Sequence, residues 1–242
     1  MHISNTYDLH RYICEVEGLI RASDLDIRIS TDFFEYRRYR MGQADRAPIP
    51  AMFDVGATFI APNTGFWIKV SDETGQIVHS QAVRLMALNQ ETLFEHISGA
   101  RLIYAPPELS EVADFKFAGP TTTHSISGNV SYHGEAWTEP RLRRVNRGAL
   151  SLIFGRLGVA AARMFWPNLD YCFAFMSTSN VLRGLHARAG FANIESCSWT
   201  APGGRNLREW FVWMDRNAID DMVSFPPQEL NLKDRVTHQD VA

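Results

Sequence analysis

The sequence predicts a single α/β (α+β) domain, a mixed sheet flanked by helices, on three observations. Segments rich in aromatic and β-branched residues recur at 65–70, 77–88, 127–138, 170–176, 193–200 and 207–214. Helical stretches fall between them, giving the order helix, strands, helix, strand, helix, strands, with crossovers long enough for a mixed sheet. Of the 242 residues 45% are hydrophobic and 21% charged, which supports a sizeable core.

Residues 1–30 fix no element and read as an N-terminal extension. Thr31 and Asp32 then offer caps for a helix through about Gln43, with Phe33, Phe34 and Tyr36 inward and Arg37, Arg38 and Arg40 solvated. The A-P-I-P run at 47–50 ends it. Segments 65–70 and 77–88 flank D-E-T-G-Q, whose Gly75 suits a turn, and so predict a hairpin. Residues 89–124 form a long inserted connection with a short helix at 91–97 and a break at Pro106 and Pro107. The extended stretch 127–138 takes its apolar content from Val130, Tyr132, Ala136 and Trp137.

Leu150, Ile153, Phe154, Leu157, Ala161 and Met164 recur at three- and four-residue spacing and predict one buried face of a helix over 148–165. The run D-Y-C-F-A-F-M at 170–176 is apolar enough for a buried strand. Ser177, Thr178, Ser179 and Asn180 can cap the next helix, which Gly190 ends. Strands at 193–200 and 207–214 flank the P-G-G turn at 202–204. The domain therefore spans 1–225 with its core at about 65–215, and 226–242 is a polar, frayed tail.

Composition narrows the function. A net charge of −3 gives no global field toward nucleic acid or an anionic membrane, so any anion site must be local. Cys14, Cys172 and Cys197 show no C-x-x-C spacing, and no targeting or membrane-spanning segment is visible; a reduced, cytoplasmic setting is expected. Zinc-peptidase, serine-hydrolase, P-loop and dinucleotide motifs are missing from the sequence. His124, His133 and His186 with Glu135 are too far apart in sequence to argue for a metal, and none is expected.

The most informative stretch is A-W-T-E-P-R-L-R-R-V-N-R-G at 136–148, where a strand runs into a basic turn that opens the long helix. A helix N-terminus carries unpaired N–H groups and about half a positive charge, which favours phosphate. Asn146 and Gly148 tolerate unusual backbone angles, and Arg143, Arg144 and Arg147 add charge. A solvated basic turn is the alternative on these residues alone.

These residues resemble the GNAT acyltransferase superfamily, whose signature is V-x-P-x-x-[QR]-x-x-G-x-[GA] at a helix N-terminus. Pro140, Arg143 and Gly148 match, Thr138 is isosteric with the family valine, and Asn146 replaces the first glycine. A second resemblance lies at 186–191, where Gly190 and Phe191 match and His186 stands in place of the family tyrosine, the proton donor to the departing thiolate. The likeness covers about 65–215 and is most specific over 136–191.

The resemblance implies acetyl-CoA or another acyl-CoA as co-substrate. Its pyrophosphate would lie on Arg143, Arg144, Val145, Asn146, Arg147, Gly148 and Ala149, with Trp137, Thr138 and Asn180 completing the cofactor contacts. The pantetheine arm would lie between the strands ending near Thr138 and Met176. It implies direct attack of an amine on the thioester carbonyl, with an N–H donor for the oxyanion and no covalent enzyme intermediate. Glu135 and His133, two apart on one strand and so expected on one face, are candidate bases, with Tyr132 opposite them; His186 is the candidate acid. The acceptor is an unidentified small-molecule or peptide amine, and a homodimer is left open. Two alternatives stand beside an N-acetyltransferase. One is a non-catalytic acyl-CoA-binding module, for which Asn146 and His186 argue; the other is a longer-chain acyltransferase of the acyl-homoserine-lactone synthase type.

Overall fold

Eight strands form one sheet in the order β1-β2-β3-β5-β6-β8-β7-β4 in the computed structural model, which describes residues 4–99, 116–144, 149–201, 205–225 and 227. The first half of the chain supplies α1 (Ser4–Arg21), β1 (Asp26–Ser30), α2 (Phe33–Met41), β2 (Gly65–Ser71), β3 (Ile77–Leu88) and α3 (Leu93–Ser98). The second supplies β4 (Lys116–Ala118), β5 (Gly128–Thr138), α4 (Pro140–Arg144), α5 (Ala149–Phe165), β6 (Tyr171–Met176), α6 (Thr178–Leu182), α7 (Leu185–Arg188), β7 (Asn193–Ala201), β8 (Arg205–Asp215) and α8 (Arg216–Ser224). Every neighbouring pair is antiparallel except β5 and β6, which run parallel. The mixed sheet covered by helices is the architecture expected from the sequence.

The β2–β3 hairpin turns where expected. Gly75 sits at φ 82°, and Asp72 Oδ1 accepts from the backbone of Thr74 and Gln76. The Thr92 hydroxyl and Glu95 carboxylate close a capping box that starts α3. Strand alternation sends one set of side chains to each face of the sheet. Ile27, Phe66, Ile68, Val83, Cys172, Val212 and Met214 pack with α1, α5 and α8. Trp67, Ala82, Met86, Val130, Phe173, Phe211 and Trp199 pack with α2, α3 and the turn at Ala51–Phe53.

Four sequence expectations change. On α2 the buried residues are Phe33, Tyr36 and Arg40, three and four residues apart, with Tyr39 stacked on Trp67, and Phe34 is left 67% exposed at the rim. Arg40, expected in solvent, is 3% exposed on that inward stripe. On α5 the predicted stripe is buried except Met164, left at the edge by the last turn, where Phe165 and Trp166 take the ring contacts with Phe66. The helix expected to run from the Ser177 cap to Gly190 is split into α6 and α7 by Gly184, at φ 69°. The turn at 202–204, the break at Pro106 and Pro107 and nearly all of the predicted tail lie outside the described residues.

Candidate active site

The parallel ladder between β5 and β6 is short: Val130, Ser131 and Tyr132 pair with Tyr171, Cys172 and Phe173, and no pairing continues beyond. Both strands run on, β5 to Thr138 and β6 to Met176, while each keeps its other neighbour, β3 or β8, to its end. The facing edges of 133–138 and 174–176 therefore form no ladder with one another, so an extended ligand can pair there as a strand would, and the Glu135 carbonyl already accepts from Arg46. This is the place expected for a pantetheine arm.

Beside that parting, β5 carries a bulge. Gly134 pairs with Ala82 and Trp137 with Ser80, so Glu135 and Ala136 together oppose Gln81. Glu135 adopts φ 56°, a left-handed conformation rare for a non-glycine residue. The extra residue reverses the pleat. His133 lies on the α5 face, 3.0 Å from Ser131 Oγ and edge-on to Phe191. Glu135 instead reaches the α2 face, where its Oε2 accepts from Tyr36 Oη at 2.8 Å, Arg40 Nε at 2.6 Å and Arg46 at 3.4 Å. The expectation that His133 and Glu135 share a face is thus overturned, because period-two alternation holds only in a regular strand.

Arg46 ties the bulge together. It also donates to the Glu135 carbonyl and to Ser80, and its guanidinium lies 5.4 Å from the centre of the Trp137 ring. Burial and then the neighbouring Arg40 lower its pKa. Two guanidiniums answer the one carboxylate, so Glu135 serves first to pin α2 and the 42–50 segment to the sheet.

Neither strand histidine titrates near neutrality. Burial pushes His133 down to about 3. His79, opposite Thr138 on β3, is pushed down to about 3 by burial and by Arg46. Its Nδ1 lies 2.9 Å from Thr138 Oγ1, its ring stacks on Phe154 at 4.1 Å, and its Nε2 is buried without a hydrogen-bond partner. Burial thus works against the near-neutral titration expected of His133 as a base. Tyr132, expected opposite both His133 and Glu135, is opposite His133 only: the bulge brings Glu135 to its own α2 face, where Tyr132 stacks on Phe53 at 5.6 Å; burial, then Glu209 and Glu135, raise its phenol pKa.

Of the residues assigned to the cofactor, Val145, Asn146, Arg147 and Gly148 lie outside the described residues. Arg143 and Arg144 belong to the short helix α4 rather than to a turn running straight into α5, and Ala149 is the first residue of α5. Trp137 and Thr138 close β5 beside the parting, paired with Ser80 and His79 of β3. Asn180 is in the first turn of α6, its N–H turned back to Ser177. His186 lies on α7, partly buried, with Nδ1 lacking a hydrogen-bond partner. Among the described residues no group of three or more His, Cys, Asp or Glu is placed to hold a metal, and no helix is long and apolar enough to cross a membrane.

The sequence reading passed over Glu209. It lies on β8 opposite Cys197, one residue beyond Trp210, where pairing with β6 stops. Burial raises its pKa, and a hydrogen bond from the Trp199 side chain opposes the rise. The signal was present: positions 207, 209, 211 and 213 read Leu, Glu, Phe and Trp, so a lone charge interrupts an apolar alternate series. No comparable signal marked Arg46.

No protein-family model matches the chain, and no curated protein matches it in sequence. Solved structures similar to it include NAA60 of Arabidopsis thaliana in complex with acetyl-CoA, with 10% identity, 80% of this chain and 99% of that one covered, and a TM-score of 0.47. An agmatine N-acetyltransferase gives 14% identity, 79% and 99% coverage and a TM-score of 0.46. The spermidine N-acetyltransferase SpeG of Vibrio cholerae gives 9%, 81% and 96%, with a TM-score of 0.41.

Proposed function

We propose that the protein is an acyl-CoA-dependent N-acyltransferase, with acetyl-CoA the first donor to test. The observation that carries this reading is the parting of β5 from β6 after Tyr132 and Phe173, next to a bulge and ahead of the helix whose entry carries the P-R-L-R-R-V-N-R-G sequence. An extended pantetheine arm can add to the free edge of β5 as a third partner, while Arg143, Arg144 and Arg147, the backbone around Asn146 and Gly148, and the entry to α5 take the pyrophosphate. Trp137, Thr138, Val145, Ala149 and Asn180 complete that contact set in this reading. The thioester carbonyl would then lie beside the bulge, where a strand N–H freed from the ladder is a donor for the oxyanion.

Within this reading the acceptor amine enters from the α2 face, since α5 covers the other. His186 is the candidate proton donor to the thiolate. His133, held neutral by burial, and Glu135, held by two guanidiniums, shape the β5 edge instead of accepting the amine's proton.

Calorimetric titration of the full chain with coenzyme A, acetyl-CoA and octanoyl-CoA tests the donor. Binding is expected, weakened at least tenfold by Gly148→Trp and by Arg143→Ala with unchanged thermal midpoints. Failure of all three ligands to bind at millimolar concentration overturns the reading. Binding without thiol release across a broad amine panel would favour a non-catalytic acyl-CoA module, and preference for octanoyl-CoA a longer-chain transferase.

A further inference from the structure

Two carboxylates lie on the α2 face near the parting of β5 and β6, and they differ in what surrounds them. Glu135 is saturated by Tyr36, Arg40 and Arg46. Glu209 is half-buried, and among the described residues no lysine, arginine or histidine acts on it. Strand alternation places it with Phe211 on the α2 face, beside Cys197 and Trp199 of β7. Tyr132 of β5 lies within electrostatic reach of both Glu209 and Glu135, each of which raises its phenol pKa.

Trp199, whose side chain donates to Glu209, opens into an aromatic network. The Trp199 ring meets Phe175 at 4.7 Å and Phe117 at 4.6 Å, and Phe175 meets Tyr132 at 6.1 Å. The titratable groups facing the carboxylate are themselves neutral: burial and Glu209 push the Cys197 thiol up to about 12, and the Tyr132 phenol is raised as well. A half-buried carboxylate beside such a network, with no counter-cation among the described residues, is matched by an ammonium ion on an apolar arm.

We propose that Glu209, with the ring wall of Tyr132, Phe175 and Trp199, is the acceptor subsite, taking a primary amine carried on an apolar, ring-sized frame. This rests on the acyl-transfer reading above and adds to it the acceptor class and the group that receives the amine's proton. The ammonium first pairs with the Glu209 carboxylate and gives it one proton, leaving a neutral amine and a carboxylic acid. The amine lone pair then forms the C–N bond to the thioester carbonyl carbon. The C–S bond breaks, its electron pair leaves on sulfur, and His186 gives that thiolate a proton and takes up the second N–H proton in exchange, giving amide and free thiol. Glu209 returns its proton to water. Removing the Trp199 donor disfavours the charged carboxylate, so Trp199→Phe is expected to move the acid limb of the rate profile upward in pH.

The test uses the full chain, phenethylamine as probe and spermidine as a polar, multiply charged control. Phenethylamine binding is followed by tryptophan fluorescence without any thioester, and turnover by thiol release from acetyl-CoA. Glu209→Gln is expected to weaken phenethylamine binding at least tenfold and to lower kcat/KM at least thirtyfold, with acetyl-CoA affinity and thermal midpoint unchanged. Phenethylamine is expected to exceed spermidine in kcat/KM at least tenfold in the parent. If acetyl-CoA binds but Glu209→Gln leaves phenethylamine binding and turnover at parental values, or the parent binds no phenethylamine, the subsite is overturned and the acyl-CoA reading survives. If phenethylamine binding depends on Glu209 while no acyl-CoA binds, the subsite stands and the acyl-transfer reading falls.

Discussion

Arg40 Nε lies 2.6 Å from Glu135 Oε2 although 95 residues separate the two in sequence, and both side chains are nearly closed to solvent, at 2% and 13% exposure. The pair links the inward stripe of α2 to the one non-glycine residue of β5 whose backbone is left-handed. A buried ion pair adds little net stability over apolar packing, yet removing one member strands the other.

Glu135→Ala is therefore expected to cost about 3–5 kcal/mol, because Arg40 and Arg46 then face each other without an anion. The double variant Glu135→Ala with Arg40→Met is expected to recover part of that loss, since it removes the stranded charge. Urea denaturation of the three proteins checks this. A single variant within about 1 kcal/mol of the parent would mean that water reaches the cluster freely.

The two depressed histidines set the acid limit. Unfolded, each takes up a proton near pH 6.5; folded, His79 and His133 stay neutral down to about 3. Between those values the unfolded chain binds more protons, so the stability they contribute is present above about pH 6.5 and is lost as pH falls toward 3. The slope is roughly 1.4 kcal/mol per pH unit for each histidine. Urea midpoints measured from pH 7 to pH 4 are expected to fall more steeply for the parent than for a His79→Gln, His133→Gln double variant. Equal slopes would show that neither imidazole resists protonation.

Much of this architecture was legible in advance, and the exceptions have physical causes. The period of α5, the hairpin at Gly75 and the buried run of β6 are local patterns that the sheet reinforces. On α1, Leu9, Tyr12, Ile13, Val16 and Ile20 follow helical spacing and are buried, but interspersed Cys14 and Gly18 blurred the stripe. β4, at three residues, is too short to show a period, and it exists because the edge of β7 offers it a partner. The site was less legible because a bulge is a mismatch between two strands distant in sequence, Gln81 of β3 against Glu135 and Ala136 of β5, which neither strand encodes alone. The same mismatch redirected Glu135 and drew Arg40, by composition a surface charge, into the interior.

Two helical glycines are expected to respond with opposite signs. A Cβ on Gly155 of α5 would sit 2.7 Å from Ala189 Cβ and 2.8 Å from its Cα, so backbone, not a flexible side-chain tip, stands in the way. Gly155→Ala must force α5 and the segment after α7 apart. Overpacking of this kind costs about 1–3 kcal/mol, against a gain of about 1 kcal/mol in helix propensity. Gly18 of α1 has nothing within 4 Å of its would-be Cβ, so Gly18→Ala keeps only the favourable part and is expected to stabilise by roughly 0.5–1 kcal/mol. Because His186 lies three residues before Ala189, Gly155→Ala is also expected to lower acyl-transfer turnover more than acetyl-CoA affinity, whereas Gly18→Ala leaves both unchanged. Thermal midpoints with matched binding and rate measurements check the pair. A Gly155→Ala protein as stable as Gly18→Ala would show that α5 and α7 are free to separate, and with it that His186 is not held in one place by this contact.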